Sequence, residues 1–588
     1  MNNQKANILI LSFAVFFLFI TGIFENLIGV FPACIGVCNN PILPVTWDEY
    51  LLFGNLGWIS FLWISIVLVI IYLILHTFKK FPKLQLNNAL ALFTILFLSI
   101  TSLYITSWGM DSDDRWLEYR ISKNVLDYGL YYWNPYELIN ISTPTFWPYI
   151  ASQAHVLTKI FPISWELAIK ILGLFIYCVT AIYIYRINLD NKNIRNYIFI
   201  GVITYFPFLY WSISGLEAVL ACLWVVLIIE RFYAKGATSF NWILYCSIIF
   251  IRPEFIIAPF ISMICNLIIH FKIYKFKNLL KPFVILFIIV LLWMGINYFI
   301  WGDWAPSPYY IKSLFHSPFT AELSAFFKVS NATVHFLSSL IQSIFLAGSF
   351  LFLMTTSFNF IFNRLKRKAF SERATISLIL FFGFLGVAGY HILSGYMHMS
   401  YIFRYFLPEN IAFIIISGIV FQEQLSSKNI VTTLNLKAYI AILTIIQLSV
   451  VSISGFYSTN AELSLTRAKH RDAFSGASYS VLMSEWREYG ELLYSIKQPG
   501  DRLWMMNGTN IAAGAISDMY ALDGYYTPLK KSKFDSIRKC KDWECAKYFN
   551  YILVREDSNW DDFLSNLNYI MLRKSNGIIL LKNKQPEY

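Results

Sequence analysis

Long apolar stretches recur through the first three quarters of the chain, separated by short loops that carry most of the charged residues. A helix needs about 20 apolar residues to cross the hydrocarbon core of a bilayer. The pattern predicts thirteen spans, at residues 7–30, 54–76, 89–108, 166–186, 196–211, 216–233, 240–252, 254–271, 282–300, 334–362, 376–393, 405–421 and 438–455. Two of them, 196–211 and 240–252, are too short to cross the full thickness of the hydrocarbon core. Short or broken helices at membrane depth line a protein or water-filled cavity, so these two stretches indicate such a cavity.

The pattern changes after residue 456, where charged residues become frequent. An amphipathic stretch, "VLMSEWREYGELLYSIK", precedes four strand-like runs: "DRLWMM", "YILVRE", "YIMLRK" and "GIILLK". Helical periodicity followed by short β-prone runs is typical of an α/β unit. We therefore predict two domains, a membrane domain over residues 1–455 and a soluble α/β domain over residues 456–588.

The loop charges predict an orientation. Lys and Arg concentrate near residues 79–83, 186–195, 231–235, 272–281 and 364–368, in alternate loops on the same side as the N-terminus. Cytoplasmic loops are the ones enriched in these residues. An odd number of spans then places the C-terminus outside. We predict a multi-pass membrane protein whose C-terminal domain faces the periplasm or the outside of the cell.

Composition supports a membrane protein. The chain is 57% hydrophobic and 14% charged, whereas soluble proteins carry about 25% charged residues. The net charge of +12 resides largely in loops that topology explains, so we expect no nucleic-acid partner. Two cysteine pairs on the predicted outer side, Cys34 with Cys38 and Cys540 with Cys545, suit local disulfides in an oxidising compartment; zinc binding is the alternative.

Carboxylates gather directly after the third predicted span, in "DSDDRWLEYR". Asp113 and Asp114 are adjacent, and Arg120 follows them. Adjacent carboxylates bind a divalent cation, or one acts as a general base while the other orients it. A solvated acidic loop is the alternative. We predict that this stretch is functional.

Further charged residues interrupt apolar runs on the same outer side. Glu217 begins an apolar helix, and Arg252 and Glu254 flank Pro253 between two apolar runs. Arg252 either faces an anionic substrate group or pairs with Glu254 at a helix break. Lys312 in the outer loop suits a lipid phosphate, and Arg404 suits bidentate phosphate binding. The sequence contains no P-loop, Gly-rich dinucleotide fingerprint or HExxH motif.

Several stretches together resemble one family. "DDRWLEYR" resembles the DDxxxxxR pattern that opens the first outer loop, and later stretches resemble further motifs in the same order over about residues 110 to 525. They are "YWNPYELINISTPTFW", "SGLEAVL", "IRPEF", "GDWAPSPYYIKS", "FRYFLP" and "GAISDMYALDGYY". The family is that of GT-C-type polytopic glycosyltransferases similar to the actinobacterial cell-wall β-(1→2) arabinofuranosyltransferase.

The resemblance implies a polytopic α-helical membrane protein with a GT-C-like bundle, interfacial helices after the first outer loop and a periplasmic domain. It implies transfer of a sugar, arabinofuranose being one candidate, from a polyprenyl-phosphate donor to a glycan, lipid or protein acceptor. Membrane lipid is a further partner. The resemblance also implies a location in the bacterial inner (cytoplasmic) membrane, with the active site and the C-terminal domain facing the periplasm. The resemblance implies no definite cofactor; binding of a divalent cation by Asp113 and Asp114 is an open alternative.

The resemblance also implies residue roles. Asp113 is the expected base or metal-bridging residue, with Asp114 and Arg120 orienting it. The donor phosphate is expected to bind Arg252, Lys312 and Arg404. The expected substrate-binding residues are Glu217, Glu254, Asn134, Glu137, Trp147, Tyr309 and Tyr310.

Other classes of membrane protein are alternatives. A lipid-linked-oligosaccharide flippase or transporter would show inverted repeats and charges near the midplane or on both faces; the sequence shows neither. An O-antigen ligase or polymerase would place its key Arg and His in a long periplasmic loop. A purely structural scaffold would leave the Asp–Asp–Arg grouping without a purpose.

Overall fold

The structure is a computed structural model of the 588-residue chain. It describes residues 113–129, 133–134, 137, 142, 144–187, 189–203, 205–270, 276–306, 336, 340, 344–365, 371–394, 401–426, 487–505, 511–522, 542–555, 569–575, 578–584 and 586. The predicted spans 7–30, 54–76, 89–108 and 438–455 lie outside these residues, as do Cys34, Cys38 and Cys540.

The described part before residue 427 is helical. Its α-helices are α1 (Asp113–Tyr128), α2 (Trp147–Ile160), α3 (Trp165–Arg186), α4 (Lys192–Ile203), α5 (Phe206–Ser212), α6 (Ala218–Lys235), α7 (Ser239–Cys246), α8 (Ile257–His270), α9 (Phe276–Trp301), α10 (Ile344–Leu365), α11 (Glu372–Ser394) and α12 (Leu407–Ser426). Two short 3-10 helices, Ser247–Phe250 and Pro253–Ile256, link α7 to α8, and a third, Tyr401–Phe406, leads into α12.

Five helical stretches in the described residues are long and apolar enough to cross a membrane. They are Trp165–Arg186, Pro253–His270, Leu279–Trp301, Glu372–Leu393 and Arg404–Gln424. Each coincides with a predicted span. The chain is therefore a multi-pass membrane protein, while the total of thirteen spans stays a prediction.

The two short predicted spans are interrupted, as expected. Within 196–211, α4 ends at Ile203 and α5 begins at Phe206. Within 240–252, the α-helix ends at Cys246 and a 3-10 turn takes over. A helix break frees backbone polar groups that must be satisfied inside the protein. These breaks therefore mark a polar region within the apolar bundle.

Small residues let the helices pack closely. A Cβ atom on Gly383 of α11 would lie 2.2 Å from Ser262 Oγ of α8. A Cβ atom on Gly418 of α12 would lie 2.4 Å from the Ile198 side chain of α4. Helices in membranes associate through such close contacts because lipid is as apolar as the side chains themselves. The central helix is α12, which contacts α4, α6, α10 and α11.

The described C-terminal residues form a five-stranded sheet. Its strands are β1 (Arg502–Met505), β2 (Tyr520–Leu522), β3 (Tyr551–Arg555), β4 (Tyr569–Ser575) and β5 (Ile578–Asn583), in the order β2-β1-β3-β5-β4. β1 pairs in parallel with β2 and β3, and β5 pairs antiparallel with β3 and β4. Helix α13 (Ile511–Ser517) lies between β1 and β2, as a parallel crossover requires. The four predicted strand runs are confirmed, β2 was missed, and residues 487–496 are helical as expected.

Helix α1 shares a hydrophobic core with the C-terminal sheet. Trp116 and Ile121 of α1 belong to the same buried cluster as Tyr489, Leu503 and Met505. The sheet is thus packed against the first described helix of the chain. The predicted domain boundary at residue 455 stays a prediction. Cys545 is disulfide-bonded in the structure, and its partner lies outside the described residues.

A buried histidine joins α2 to α1. His155 Nε2 lies 3.1 Å from both Ser122 Oγ and Tyr119 O. The imidazole ring also contacts the rings of Tyr119 and Trp165. Burial lowers the pKa of His155 from 6.5 to about 4, so the folded protein keeps this ring neutral at neutral pH.

We expect acid to loosen this contact. The unfolded chain binds a proton at His155 near pH 6.5, whereas the folded chain does so only near pH 4. Stability is therefore complete above pH 6.5 and falls as the pH drops toward 4, by about 3 kcal/mol. Thermal unfolding of the purified protein at pH 7 and pH 4.5, followed by tryptophan fluorescence, measures this loss. His155→Gln should reduce the difference between the two pH values; an unchanged difference would contradict the assignment.

Candidate active site

Four residues predicted for the site meet inside the helical bundle. Both carboxylate oxygens of Glu217 lie 3.1 Å from Arg404 Nη2. Arg252 Nη2 lies 2.7 Å from Glu254 Oε1, and Arg252 Nε lies 3.9 Å from Glu217 Oε1. The side chains are between 3% and 15% exposed. We call Glu217, Arg252, Glu254 and Arg404 the Glu217 cluster.

Glu217 is positioned by the loop between α5 and α6. Gly215 has φ +83°, a left-handed conformation that favours glycine, and its carbonyl accepts a 3.0 Å hydrogen bond from Trp147 Nε1. The loop lies against α3 at Gly173, where a Cβ atom would be 1.7 Å from Ser212 O. Trp147 is fully buried. In this structure it therefore holds the loop in place.

The two arginines come from short 3-10 elements. Arg252 precedes Pro253 and has φ −144° and ψ 106°, the extended conformation that a following proline favours. This conformation ends the turn Ser247–Phe250 and starts the next one. Arg404 lies in the turn Tyr401–Phe406 that leads into α12. Helix interruptions thus bring both guanidinium groups to the same place.

Aromatic rings lie against both guanidinium groups. The Tyr405 ring is 5.1 Å from Arg252 Cζ and 5.9 Å from Arg404 Cζ. Trp211 is 5.7 Å from Arg404 Cζ. Such cation–π contacts stabilise a cation where water is excluded. Sequence reasoning missed both rings, although Tyr405 follows Arg404 directly in "FRYFLP".

A second polar group lies at the start of α12. His391 Nε2 of α11 is 3.3 Å from Glu409 Oε1, and the Glu409 side chain is fully buried. Asn410 donates a 2.8 Å hydrogen bond to the hydroxyl of Tyr205, which lies in the break between α4 and α5. None of these four residues was among those predicted for the site. A carboxylate and a histidine in apolar runs were the available signal.

The Glu217 cluster has balanced formal charge, with two glutamates facing two arginines. Arg252 Nη1 is buried and has no hydrogen-bond acceptor among the described residues. Guanidinium groups bind carboxylates and phosphates through paired hydrogen bonds. The two guanidinium groups can therefore hold an anion in a site from which bulk water is excluded.

Three other predicted residues form a second group against the C-terminal sheet. Arg120 Nη2 donates to Asn134 Oδ1 at 2.8 Å, and Asn134 Nδ2 donates to Glu137 Oε2 at 2.9 Å. All three side chains are almost completely buried. Burial lowers the pKa of Arg120 to about 10, which leaves it charged at neutral pH.

The remaining predicted residues are not described. Asp113 and Asp114 begin α1, but their side chains lie outside the described part of the structure, as do Tyr309, Tyr310 and Lys312. Among the described residues, no group of three or more His, Cys, Asp or Glu could hold a metal ion. The cation site at Asp113 and Asp114 stays a prediction.

Three solved structures, two from a bacterium and one from an archaeon, align with this chain. ArnT from Cupriavidus metallidurans bound to undecaprenyl phosphate aligns with 84% of this chain and 97% of its own, at 12% identity and a TM-score of 0.51. Apo ArnT aligns with 83% of this chain and 97% of its own, at 11% identity and a TM-score of 0.48. The Archaeoglobus fulgidus oligosaccharyltransferase, in complex with Zn and sulfate, aligns with 79% of this chain and 68% of its own, at 12% identity and a TM-score of 0.45.

The first of these alignments decides the fold. The chain has a GT-C fold. The polytopic GT-C-like architecture that the sequence predicts is thereby confirmed at the level of the fold. No family model matches the chain, and no curated protein is similar to it in sequence.

We expect Gly173→Ala to disturb the Glu217 cluster. The added methyl group would overlap Ser212 O, so α3 and the loop before α6 would move apart, at a cost of about 1–3 kcal/mol. Thermal unfolding in detergent measures the loss.

Gly389→Ala in α11 is the matched control, because no atom lies within 4 Å of its added Cβ. Equal thermal stability of the two variants would show that the close approach at Gly173 does not matter.

Proposed function

We propose that the protein is a membrane glycosyltransferase that moves a sugar from a polyprenyl-phosphate donor to a glycan, lipid or protein acceptor at the periplasmic face of the bacterial inner membrane. The Glu217 cluster carries this proposal: it places two arginines side by side within an apolar bundle. The confirmed fold supports it, since ArnT with that fold was captured with undecaprenyl phosphate.

The cluster suits the phosphate of a lipid-linked sugar. Arg252 Nη1 is available for a phosphate oxygen, as no described residue accepts from it. Arg404 Nη2 contacts both carboxylate oxygens of Glu217, and guanidinium groups bind phosphate as well as carboxylate. Lys312, predicted in the outer loop, would add a third cation. A lipid carrier suits a site outside the cytoplasm, where nucleotide sugars are absent.

The proposed chemistry needs a base for the acceptor hydroxyl. Asp113 takes the hydroxyl proton while the acceptor oxygen forms a bond to the anomeric carbon. The bond between that carbon and the phosphate oxygen breaks, and polyprenyl phosphate leaves with the electron pair. Asp113 and Asp114 begin α1, and a helix N-terminus favours the ionised carboxylate that a base requires.

The remaining assignments follow the resemblance. Tyr309 and Tyr310 stack on a sugar ring, while Glu254 and Glu217 hold the arginines and contact the sugar. Arabinofuranose is our first candidate for the sugar. A divalent cation at Asp113 and Asp114 is compatible with these roles, and neither the proton transfer to Asp113 nor the sugar transfer depends on one.

We expect undecaprenyl phosphate, but not undecaprenol, to stabilise the purified protein against heat. Loss of a charge-assisted hydrogen bond weakens binding by about 1.5–3 kcal/mol, or roughly 10–100-fold in Kd. The double variant Glu217→Gln/Arg404→Gln removes one charge of each sign, which keeps the cluster neutral and limits damage to the fold. We expect it to show this loss of affinity in a thermal-shift titration.

Arg487→Gln is the control, because Arg487 is exposed and forms ion pairs with Glu166 of α3 and with Glu491, both outside the Glu217 cluster. It should bind undecaprenyl phosphate like the unchanged protein. Unaltered affinity in the Glu217→Gln/Arg404→Gln variant would refute the phosphate site.

Asp113→Asn should lower kcat for transfer from a synthetic polyprenyl-phosphate sugar. Loss of a general base reduces rates by about 10²–10⁴-fold, and the donor KM should change little. Asp127→Asn is the control, since Asp127 is exposed at the other end of the same helix. Near-normal turnover by Asp113→Asn would remove its role as base.

A further inference from the structure

Arg120 ties α1 to the C-terminal sheet. Its Nε donates to Trp133 O at 2.6 Å, and its Nη1 donates to Gly514 O at 2.5 Å. Nη2 donates to Met519 O at 2.5 Å as well as to Asn134 Oδ1. Four contacts therefore engage this guanidinium group. Trp133 and Asn134 lie in the loop that follows α1, Gly514 lies in α13, and Met519 directly precedes β2.

Asn134 completes the edge of the sheet. β2 is an outer strand, and the Asn134 amide pairs with the peptide groups of Ala521 in that strand. Asn134 Oδ1 accepts from Ala521 N at 3.0 Å, and Asn134 Nδ2 donates to Ala521 O at 3.0 Å. Trp133 Nε1 donates to the same carbonyl at 2.8 Å. The loop thus takes the place of a neighbouring strand. Without it, the N–H and C=O groups at this edge of the sheet would have no partner.

Glu137 is held from both sides. Tyr520 of β2 donates its hydroxyl to Glu137 Oε1 at 2.5 Å, and Asn134 Nδ2 donates to Oε2. The Glu137 side chain is 1% exposed, so it meets protein groups here and not substrate. Nearby, Lys123 of α1 forms a 2.9 Å ion pair with Asp518. Although burial raises the pKa of Asp518, the hydrogen bond and charge of Lys123 lower it on balance.

We propose that these contacts position the catalytic helix. Arg120, Asn134 and Glu137 are positioning residues that the C-terminal sheet uses to hold α1 and the loop after it; they do not contact substrate. We call them, together with Trp133, Gly514, Met519, Tyr520 and Ala521, the Arg120 joint. The role in catalysis rests on the proposed function, because α1 carries Asp113 and Asp114.

The geometry explains why such a joint would affect the reaction. Arg120 is two helical turns, about 10 Å, from Asp113 along α1. Misplacement of a reacting group by about 1 Å can cost 100-fold in rate. Helix α1 also buries Trp116 and Ile121 against the sheet. The sheet therefore fixes both the tilt and the rotation of the helix.

Hydrogen exchange tests the joint without any activity. In Asn134→Ala, the Ala521 amide loses its acceptor, and we expect it to exchange at least about tenfold faster. Tyr520→Phe should likewise speed exchange in the peptide covering residues 133–137. Val554→Ala is the control: Val554 is buried on β3 in a separate cluster, so it lowers stability without touching the joint. Unchanged exchange in both joint variants would overturn the proposal.

Kinetics separate positioning from substrate contact. Tyr520→Phe and Asn134→Ala should lower kcat about tenfold with an unchanged donor KM, because the Glu217 cluster binds the donor on other helices. Glu137→Gln should stay within about threefold of the unchanged protein, since its amide can accept from Asn134 and donate to the Tyr520 oxygen. Val554→Ala should keep its kcat.

The outcomes distinguish this proposal from the proposed function. A large loss of kcat in Glu137→Gln would show that its charge acts directly, and would overturn the positioning role. Faster exchange with normal kcat in the joint variants would overturn the catalytic part of the proposal while transfer itself stands. Absence of transfer in the unchanged protein would refute the glycosyltransferase, and hydrogen exchange would still decide whether the joint holds the loop.

Discussion

Four charged side chains buried among apolar helices constrain the rest of this structure. Removing an ion from water costs several kcal/mol even after relaxation, so Glu217, Arg252, Glu254 and Arg404 are tolerated only together. They come from three distant segments: the start of α6, the turns before α8 and the turn before α12. Those segments must therefore end at one level of the bundle. The cluster determines where the helices stop.

The helix breaks at this level satisfy their backbone groups within the protein. The carbonyl of Phe250, at the end of a 3-10 turn, accepts from the amides of Thr145 and Phe146 at 2.9 and 3.0 Å. Thr145 Oγ1 in turn accepts from Trp293 Nε1 of α9 at 3.2 Å. The segment before α2 thereby docks beside Arg252. Irregular backbone at membrane depth survives because another loop supplies the donors that water would supply elsewhere.

Sequence patterns located much of this architecture, for identifiable reasons. Long apolar runs bounded by charge predicted the five spans that the structure describes, and short β-prone runs predicted four strands. β2 has only three residues, too few to stand out as such a run. Charged residues in apolar runs pointed to the Glu217 cluster, because the loss of hydration makes a charge costly there. Two partners of Arg120, the carbonyl groups of Gly514 and Met519, could not be predicted, because they lie almost 400 residues away in the chain and a carbonyl has no sequence signature.

The charge of the cluster bears on how a donor would enter. Glu217 and Glu254 already neutralise Arg252 and Arg404, so a phosphodiester would bring one uncompensated negative charge into an apolar bundle. Such a charge is costly unless a cation accompanies it. Under the proposed function, Lys312, predicted in the outer loop, would supply one positive charge, and the sum would return to zero. Donor binding would then require this additional cation, which explains why a site with balanced charge can still select an anion.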